Sequence, residues 1–202
     1  MARIQIRGPG SIEYNGWQDE GCWGLRGPFC AFSADALLYR ITFEDRIEVL
    51  TAVRSEHSKY CPGMTTLSLG GFTDPKTDIT VLRGVEREVV EESLGLTFAL
   101  ENLAGTEPMP ISVGGPAKFI WRWNARDQRA ENTGIQCQDT PVVTNYYVAR
   151  VTGGTAYEND EVGNFRWSSV EELASKDREY AFDGARVLEA FIGHLKSRNI
   201  FV

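Results

Sequence analysis

Residues 84–96 read GVEREVVEESLGL, and four of the seven residues from Glu86 to Glu92 are glutamates. Extended back to residue 81, the segment has a helical period, and Gly95 fits a helix stop. On a helical wheel Leu82, Val85, Val89 and Leu96 share one stripe, which would face a core. Glu88, Glu91 and Glu92 fall on a second stripe by i,i+3 and i,i+4 spacing. Gly84 lies on that face one turn earlier, where the absence of a side chain lets another segment approach. Arg87 stands four residues before Glu91 and can pair with it.

As a helix surface this is unfavourable. Like charges at i,i+4 repel by a few tenths of a kcal/mol per exposed pair. Glu91 and Glu92 also fall in the last turn, where the helix dipole disfavours anions. A helix selected for stability alone would carry lysine there. A divalent cation reverses the sign of each of these terms, and hard oxygen ligands suit Mg²⁺ or Mn²⁺. Gly70-Gly71, just upstream, can bring a backbone carbonyl to the same place. The bland alternative is a solvated acidic face; the dipole position and the adjacent Gly-Gly weigh against it.

The rest of the chain is consistent with one domain carrying an elaborated N-terminus. It has 202 residues, 42% of them hydrophobic and 24% charged, which is enough apolar material for a core. The net charge of −7 argues against a nucleic-acid backbone as the main partner. The opening MARIQIRGPGS has no apolar run of signal-peptide length, and no stretch approaches a membrane span, so a cytoplasmic location is expected. Cys22, Cys30, Cys61 and Cys137 are scattered without a CxxC and read as reduced and structural. A zinc site from Cys22, Cys30 and Cys61 with His57 is the weaker alternative.

Residues 3–7 alternate like a short strand, and 11–30 are loop-like and aromatic. Residues 32–43 and 47–55 read as two strands, followed by a short strand ending at Gly70-Gly71-Phe72. Strands are also expected at 98–103, 119–125, 142–151 and 164–169, with 104–118 and 126–141 as loop or polar connection. Ser168 or Ser169 can cap a short helix over 170–175. Val187, Leu188, Phe191, Ile192 and Leu195 predict an amphipathic C-terminal helix over 182–197. The mixture points to α+β or a mixed α/β sandwich.

These residues resemble the Nudix hydrolase family, whose signature contains R-E-U-x-E-E-x-G-U, U being a bulky aliphatic residue. Arg87, Glu88, Val89, Val90, Glu91 and Glu92 match its core in order. Gly95 and Leu96 match its ending with one extra residue, and Leu69-Gly70-Gly71-Phe72 looks like the strand end that precedes it. The signature's first glutamate has no clean match: Ile79 falls at its spacing and Asp78 is one position off. Glu161, six before Trp167, has the spacing of a loop acid in relatives. Residues 180–191 resemble a segment of ADP-ribose pyrophosphatase-like members, with Gly184 in place of a histidine. The likeness covers roughly residues 30–195; residues 1–29, an N-terminal arm, lie outside it.

The resemblance implies an α/β fold of the Nudix type, an α/β/α sandwich with a mixed sheet. It implies a pyrophosphohydrolase acting on a nucleoside diphosphate linked to another group, ADP-ribose first among the candidates. NADH, dinucleoside polyphosphates and capped RNA are alternatives, as is a non-catalytic nucleotide-sensing domain. About two or three Mg²⁺ or Mn²⁺ ions would be held by Glu88, Glu91, Glu92 and the Gly71 carbonyl. Arg87 would orient the carboxylates through Glu91. Glu161, or a helix glutamate such as Glu88, would take the proton from water; Glu158 and Asp160 are neighbours that can substitute. Arg54 is placed to meet a phosphate. Trp23, Phe72 and Tyr146 are the favoured stacking surfaces for the substrate, with Trp17, Trp121 and Trp123 also considered. A homodimer pairing through residues 1–29 is a further expectation.

Overall fold

A computed structural model describes residues 5–6, 12–16, 23–25, 31–58, 60–73, 77–78, 80–101, 112–114, 119–124, 129–136, 142–175 and 179–200; side chains are described only within 33–101 and 144–200, Phe72 excepted. Three short strands, β1 (Gln5–Ile6), β2 (Ile12–Gly16) and β3 (Trp23–Leu25), pair antiparallel in that order. The central sheet is built from β4 (Ala31–Ile41), β5 (Ile47–Arg54), β6 (Thr65–Thr66) and β7 (Leu69–Phe72), and later from β8 (Leu96–Leu100) and β9 (Ser112–Gly114). Helix α1 (Val81–Ser93) lies between β7 and β8. A separate hairpin, β10 (Phe119–Asn124) with β11 (Arg129–Gln136), is followed by β12 (Val142–Gly154), β13 (Val162–Ser169), α2 (Val170–Ser175) and α3 (Gly184–Ser197).

The main path of the sheet runs β13-β5-β4-β12-β8, with β6 on β5, β7 on β4 and β9 on β12. β4 and β12 are parallel and the other pairs antiparallel, so the sheet is mixed. Strand alternation then sorts the core into two layers. Leu37 and Tyr39 of β4, Val49 of β5 and Val148 of β12 meet Val187, Leu188, Phe191 and Leu195 of α3. Ala34, Ala36 and Leu38, with Leu50, Ala52 and Ala149, meet Val85 and Val89 of α1. The result is the expected α/β/α sandwich.

Helix α1 starts where Thr80 accepts a hydrogen bond from the Arg83 amide at 3.3 Å, a cap contributing about 1 kcal/mol. Its end differs from expectation: Leu94, not Gly95, takes the left-handed conformation, at φ 55°. Two further expectations are corrected. Residues 129–136, read as polar connection, form a strand, because the partner β10 supplies the pairing that an apolar alternation would otherwise signal. Strand β12 runs on to Gly154 rather than stopping at residue 151, since β8 pairs along its end.

On the α3 side, Glu101 fastens the helix to the sheet. It accepts from the Tyr39 hydroxyl and from Arg198, and meets His194 Nε2 at 3.2 Å. Tyr39 is 1% exposed, so losing its acceptor leaves a buried hydroxyl without water. Glu101→Leu is expected to cost about 2–3 kcal/mol in urea unfolding; a change below about 0.5 kcal/mol would show that the contact carries no net stability. Among the described residues no helix is long and apolar enough to cross a membrane. Cys61 is buried, in keeping with a structural cysteine; Cys22, Cys30 and Cys137 lie outside the residues whose side chains are described.

Candidate functional site

The site is organised around the Gly70-Gly71 strand end. In the β4–β7 ladder Gly70 pairs with Asp35. Its φ is +149°, and a Cβ there would lie 2.4 Å from the Ala34 carbonyl oxygen and 2.5 Å from the Asp35 Cα. Only glycine fits. Gly70→Ala is therefore expected to lower stability by about 2–3 kcal/mol, read as a lower melting temperature; an unchanged melting temperature would sink the argument.

This approach puts backbone against the acidic stripe of α1. The Gly70 amide donates to Glu92 Oε2 at 2.6 Å, and Glu92 is 5% exposed. A Cβ on Gly71 would sit 2.5 Å from Glu88 Oε2, so the chain here also leaves room only for the carboxylate. At Gly84 a Cβ would meet Thr73 Cγ2 at 2.9 Å and Asp78 Oδ2 at 3.1 Å, which is the close approach expected from the sequence.

Asp78 is the partner that local spacing did not reveal. Arg87 Nε donates to its Oδ1 and Nη2 to its Oδ2, both at 2.9 Å, and the Asp78 side chain is 3% exposed. The same guanidinium reaches Glu88 Oε1 at 2.8 Å and Glu91 Oε2 at 2.9 Å. Arg87 thus binds three carboxylates, and the Asp78 hydrogen bond is the largest cause of its pKa rising further above the usual arginine value. The expected Arg87–Glu91 pair forms, and the structure adds to it a bidentate, buried partner, Asp78, with Glu91 the more exposed of the two.

Burial pushes the Glu88 carboxyl up to about 7, against the lowering effect of Arg87 and with Glu91 and Glu161 raising it further. Burial likewise pushes Glu92 up to about 8; the Gly70 amide and Arg54 oppose this, while Asp35 and Glu161 add to it. Among the described residues no three His, Cys, Asp or Glu side chains are gathered closely enough to hold a metal ion. Glu88 and Glu91 both meet the Arg87 guanidinium, and Glu92 accepts from the Gly70 amide.

Glu161 stands exposed in the β12–β13 loop, and its charge acts on both Glu88 and Glu92. Glu158 is occupied elsewhere, accepting from the Asn164 amide at 2.7 Å. Asp160 is exposed. Arg54 is fixed by its Nε donating to the Tyr60 carbonyl at 3.1 Å and by stacking at 4.9 Å over the Phe182 ring. From there its charge acts on Asp35 and Glu92.

Asp35 was not singled out from the sequence, although a lone acid between Ala34 and Ala36 was a readable signal. It is 8% exposed, and burial raises its pKa despite hydrogen bonds from the Ser33 hydroxyl at 3.0 Å and the Ser68 hydroxyl at 3.1 Å. Tyr146 needs correction as a stacking surface. It is 2% exposed within the α3-side core, because strand alternation turns it inward with Val148. The side chains of Trp17, Trp23, Phe72, Trp121 and Trp123 lie outside those described.

No protein-family model and no curated protein matches the sequence. The fold does have counterparts among solved structures. The NUDIX domain of NrtR from Shewanella oneidensis, complexed with ADP ribose, superposes with a TM-score of 0.54 at 19% identity over 81% of this chain and 87% of that one. The MutT protein from Methanosarcina mazei Go1 gives 0.55 at 20% identity over 82% and 94%. Shewanella oneidensis NrtR complexed with a 27mer DNA gives 0.52 at 19% identity; the match covers 83% of this chain and 63% of that longer one. The fold of this chain is the Nudix fold.

Proposed function

We propose that this chain is a divalent-cation-dependent hydrolase of pyrophosphate linkages. Its substrate class is a nucleoside diphosphate joined to a second group, with ADP-ribose, split to AMP and ribose 5-phosphate, as the leading candidate. The observation that carries the reading is the pair of carboxylates, half-buried Glu88 and buried Glu92, pressed against Gly71 and Gly70, with the charge of Glu161 acting on both.

The donor set suits a hard cation: every candidate ligand atom is oxygen, and burial raises both carboxyls even with Arg87 beside Glu88. Mg²⁺ or Mn²⁺ held by Glu88, Glu92 and the Gly71 carbonyl, with Glu91 as the outermost member, would screen phosphate charge and acidify a bound water. Glu161 would accept the proton as the water oxygen attacks phosphorus and the bond to the bridging oxygen breaks. Arg54 would pair with the phosphate, and Arg87 would keep Glu88 and Glu91 on their face of the helix.

The test is turnover. The purified protein is incubated with Mg²⁺ and a pool of ADP-ribose, other nucleotide sugars, NADH, dinucleoside polyphosphates and nucleoside triphosphates, followed by mass spectrometry. Consumption of ADP-ribose to AMP and ribose phosphate supports the whole reading. Consumption of another compound replaces the substrate alone. A second reading, a domain that binds such a nucleotide without cleaving it, is favoured by the likeness to the NrtR domain complexed with ADP ribose; binding without turnover would select it.

A cation-dependent stability change is expected as well. Ligand carboxylates must be deprotonated, so Mn²⁺ should raise the melting temperature more at pH 8 than at pH 6, given carboxyls held at about 7 and about 8. An equal shift at both pH values, or none, would count against Glu88 and Glu92 as ligands.

A further inference from the structure

The hydrolase reading requires Glu161 to keep its place relative to Glu88 and Glu92, yet Glu161 is exposed on a loop. We propose that Asn159 is the positioning residue that ties Glu161 to the last turn of α1; the proposal rests on the hydrolase reading. Its side chain works in both directions. Asn159 Nδ2 donates to the backbone carbonyl of Glu92 at 2.7 Å and to that of Glu91 at 3.2 Å. Asn159 Oδ1 accepts from the backbone amides of Glu161 at 2.8 Å and Val162 at 2.9 Å.

A helix end leaves its last carbonyls without partners inside the helix. Here each is met: Val90 by the Leu94 amide at 2.9 Å, Glu91 and Glu92 by Asn159, and Ser93 by the Tyr157 amide at 2.9 Å. The turn that carries the acidic stripe is thus joined, through one side-chain amide, to the backbone of Glu161. On its other side Glu161 is held by the Ser55 amide, which donates to its carbonyl at 2.7 Å. Asn159 also fixes itself, its own amide donating to the Val162 carbonyl at 3.0 Å.

Only a carboxamide supplies donors toward carbonyls and an acceptor toward amides from one short side chain. Aspartate would keep the acceptor but turn a negative charge toward the carbonyls, and alanine would lose both. Neither change alters a carboxylate of the site, and Mn²⁺ affinity together with the Glu161→Gln background separates a loss through Glu161 from one through the helix end that carries Glu91 and Glu92.

The test is a cycle of wild type, Asn159→Ala, Glu161→Gln and the double variant. Each is assayed for kcat, KM and Mn²⁺ affinity on whichever pyrophosphate substrate the wild type turns over. Asn159→Ala is expected to lower kcat about 10–100-fold. KM and Mn²⁺ affinity should stay within about twofold, and the substitution should cost nothing further when Glu161 is already Gln. Amide exchange at Glu161 and Val162 should speed up in Asn159→Ala. Additive losses, a fully active Glu161→Gln, or an unchanged kcat in Asn159→Ala would each overturn the proposal while leaving the hydrolase reading standing. A wild type that turns over no pyrophosphate substrate would overturn the hydrolase reading, and this proposal with it.

Discussion

Glu92→Gln is expected to abolish turnover while making the cation-free protein more stable at alkaline pH. A glutamine keeps an oxygen that can accept from the Gly70 amide, the contact seen at 2.6 Å, so the local geometry survives. What it removes is charge. A cation ligand and its effect on developing phosphate charge contribute several kcal/mol at the transition state, which corresponds to a loss of about 10³-fold or more in kcat. The stability gain follows from linkage. Glu92 titrates near 8 in the folded chain, raised from 4.5, chiefly by burial. Between those values the folded state holds a proton that the unfolded state has released, so stability falls as pH rises across the window. Above pH 8 the whole cost of the buried charge is present, and the substitution relieves it. In EDTA the variant should therefore melt above the wild type at pH 8.5, and the difference should fade toward pH 4.5. Retained activity would remove Glu92 from the chemistry. A variant melting lower at every pH would mean that the carboxylate is compensated by something other than a cation.

Asp78→Ala should produce the largest stability loss of the substitutions considered. Removing Asp78 takes away the bidentate and most buried of the Arg87 contacts, at a cost of about 3–4 kcal/mol. For a chain of this size that is a fall of roughly 6–16 °C in melting temperature. The Arg87 side chain is 27% exposed, which keeps the expectation at the lower end of that range. A second effect should appear in kinetics. Freed from Asp78, the guanidinium would lean more fully on Glu88 and Glu91, its other two partners, and compete with any cation for them. Asp78→Ala should thus raise the Mn²⁺ concentration needed for half-maximal activity. Arg87→Lys should share the stability loss, since an ammonium cannot form the two-pronged contact. An Asp78→Ala protein within about 1 kcal/mol of the wild type by urea unfolding would show that Arg87 is held in place by its remaining contacts.

Some of this molecule was readable from the chain alone, because the signal is local. The period of residues 81–93 and the apolar stripe through Val85 and Val89 depend only on helix geometry, and both residues are fully buried. The strands on either side of residues 44–46 are β-branched and apolar, and they pair as expected. The excess of glutamate in the last turns of α1 could be read as a charge problem awaiting a cation, and Gly70-Gly71 as the place where backbone comes close.

What the sequence could not decide is which distant groups meet that helix. Spacing on the helix offered Glu91 to Arg87 and that pair forms, but only the loop before the helix brings Asp78 to it, buried and in a two-pronged geometry. Nothing local marks Asn159 as the link between two segments, and nothing local turns Tyr146 inward while leaving Glu161 outward. Sequence by itself determined the elements and the acidic face of one of them, since these follow from residues a turn or two apart. The tertiary structure alone decided the partners of each charge, since those depend on pairings across the sheet: Gly70 beside Asp35, and Ser55 beside Glu161.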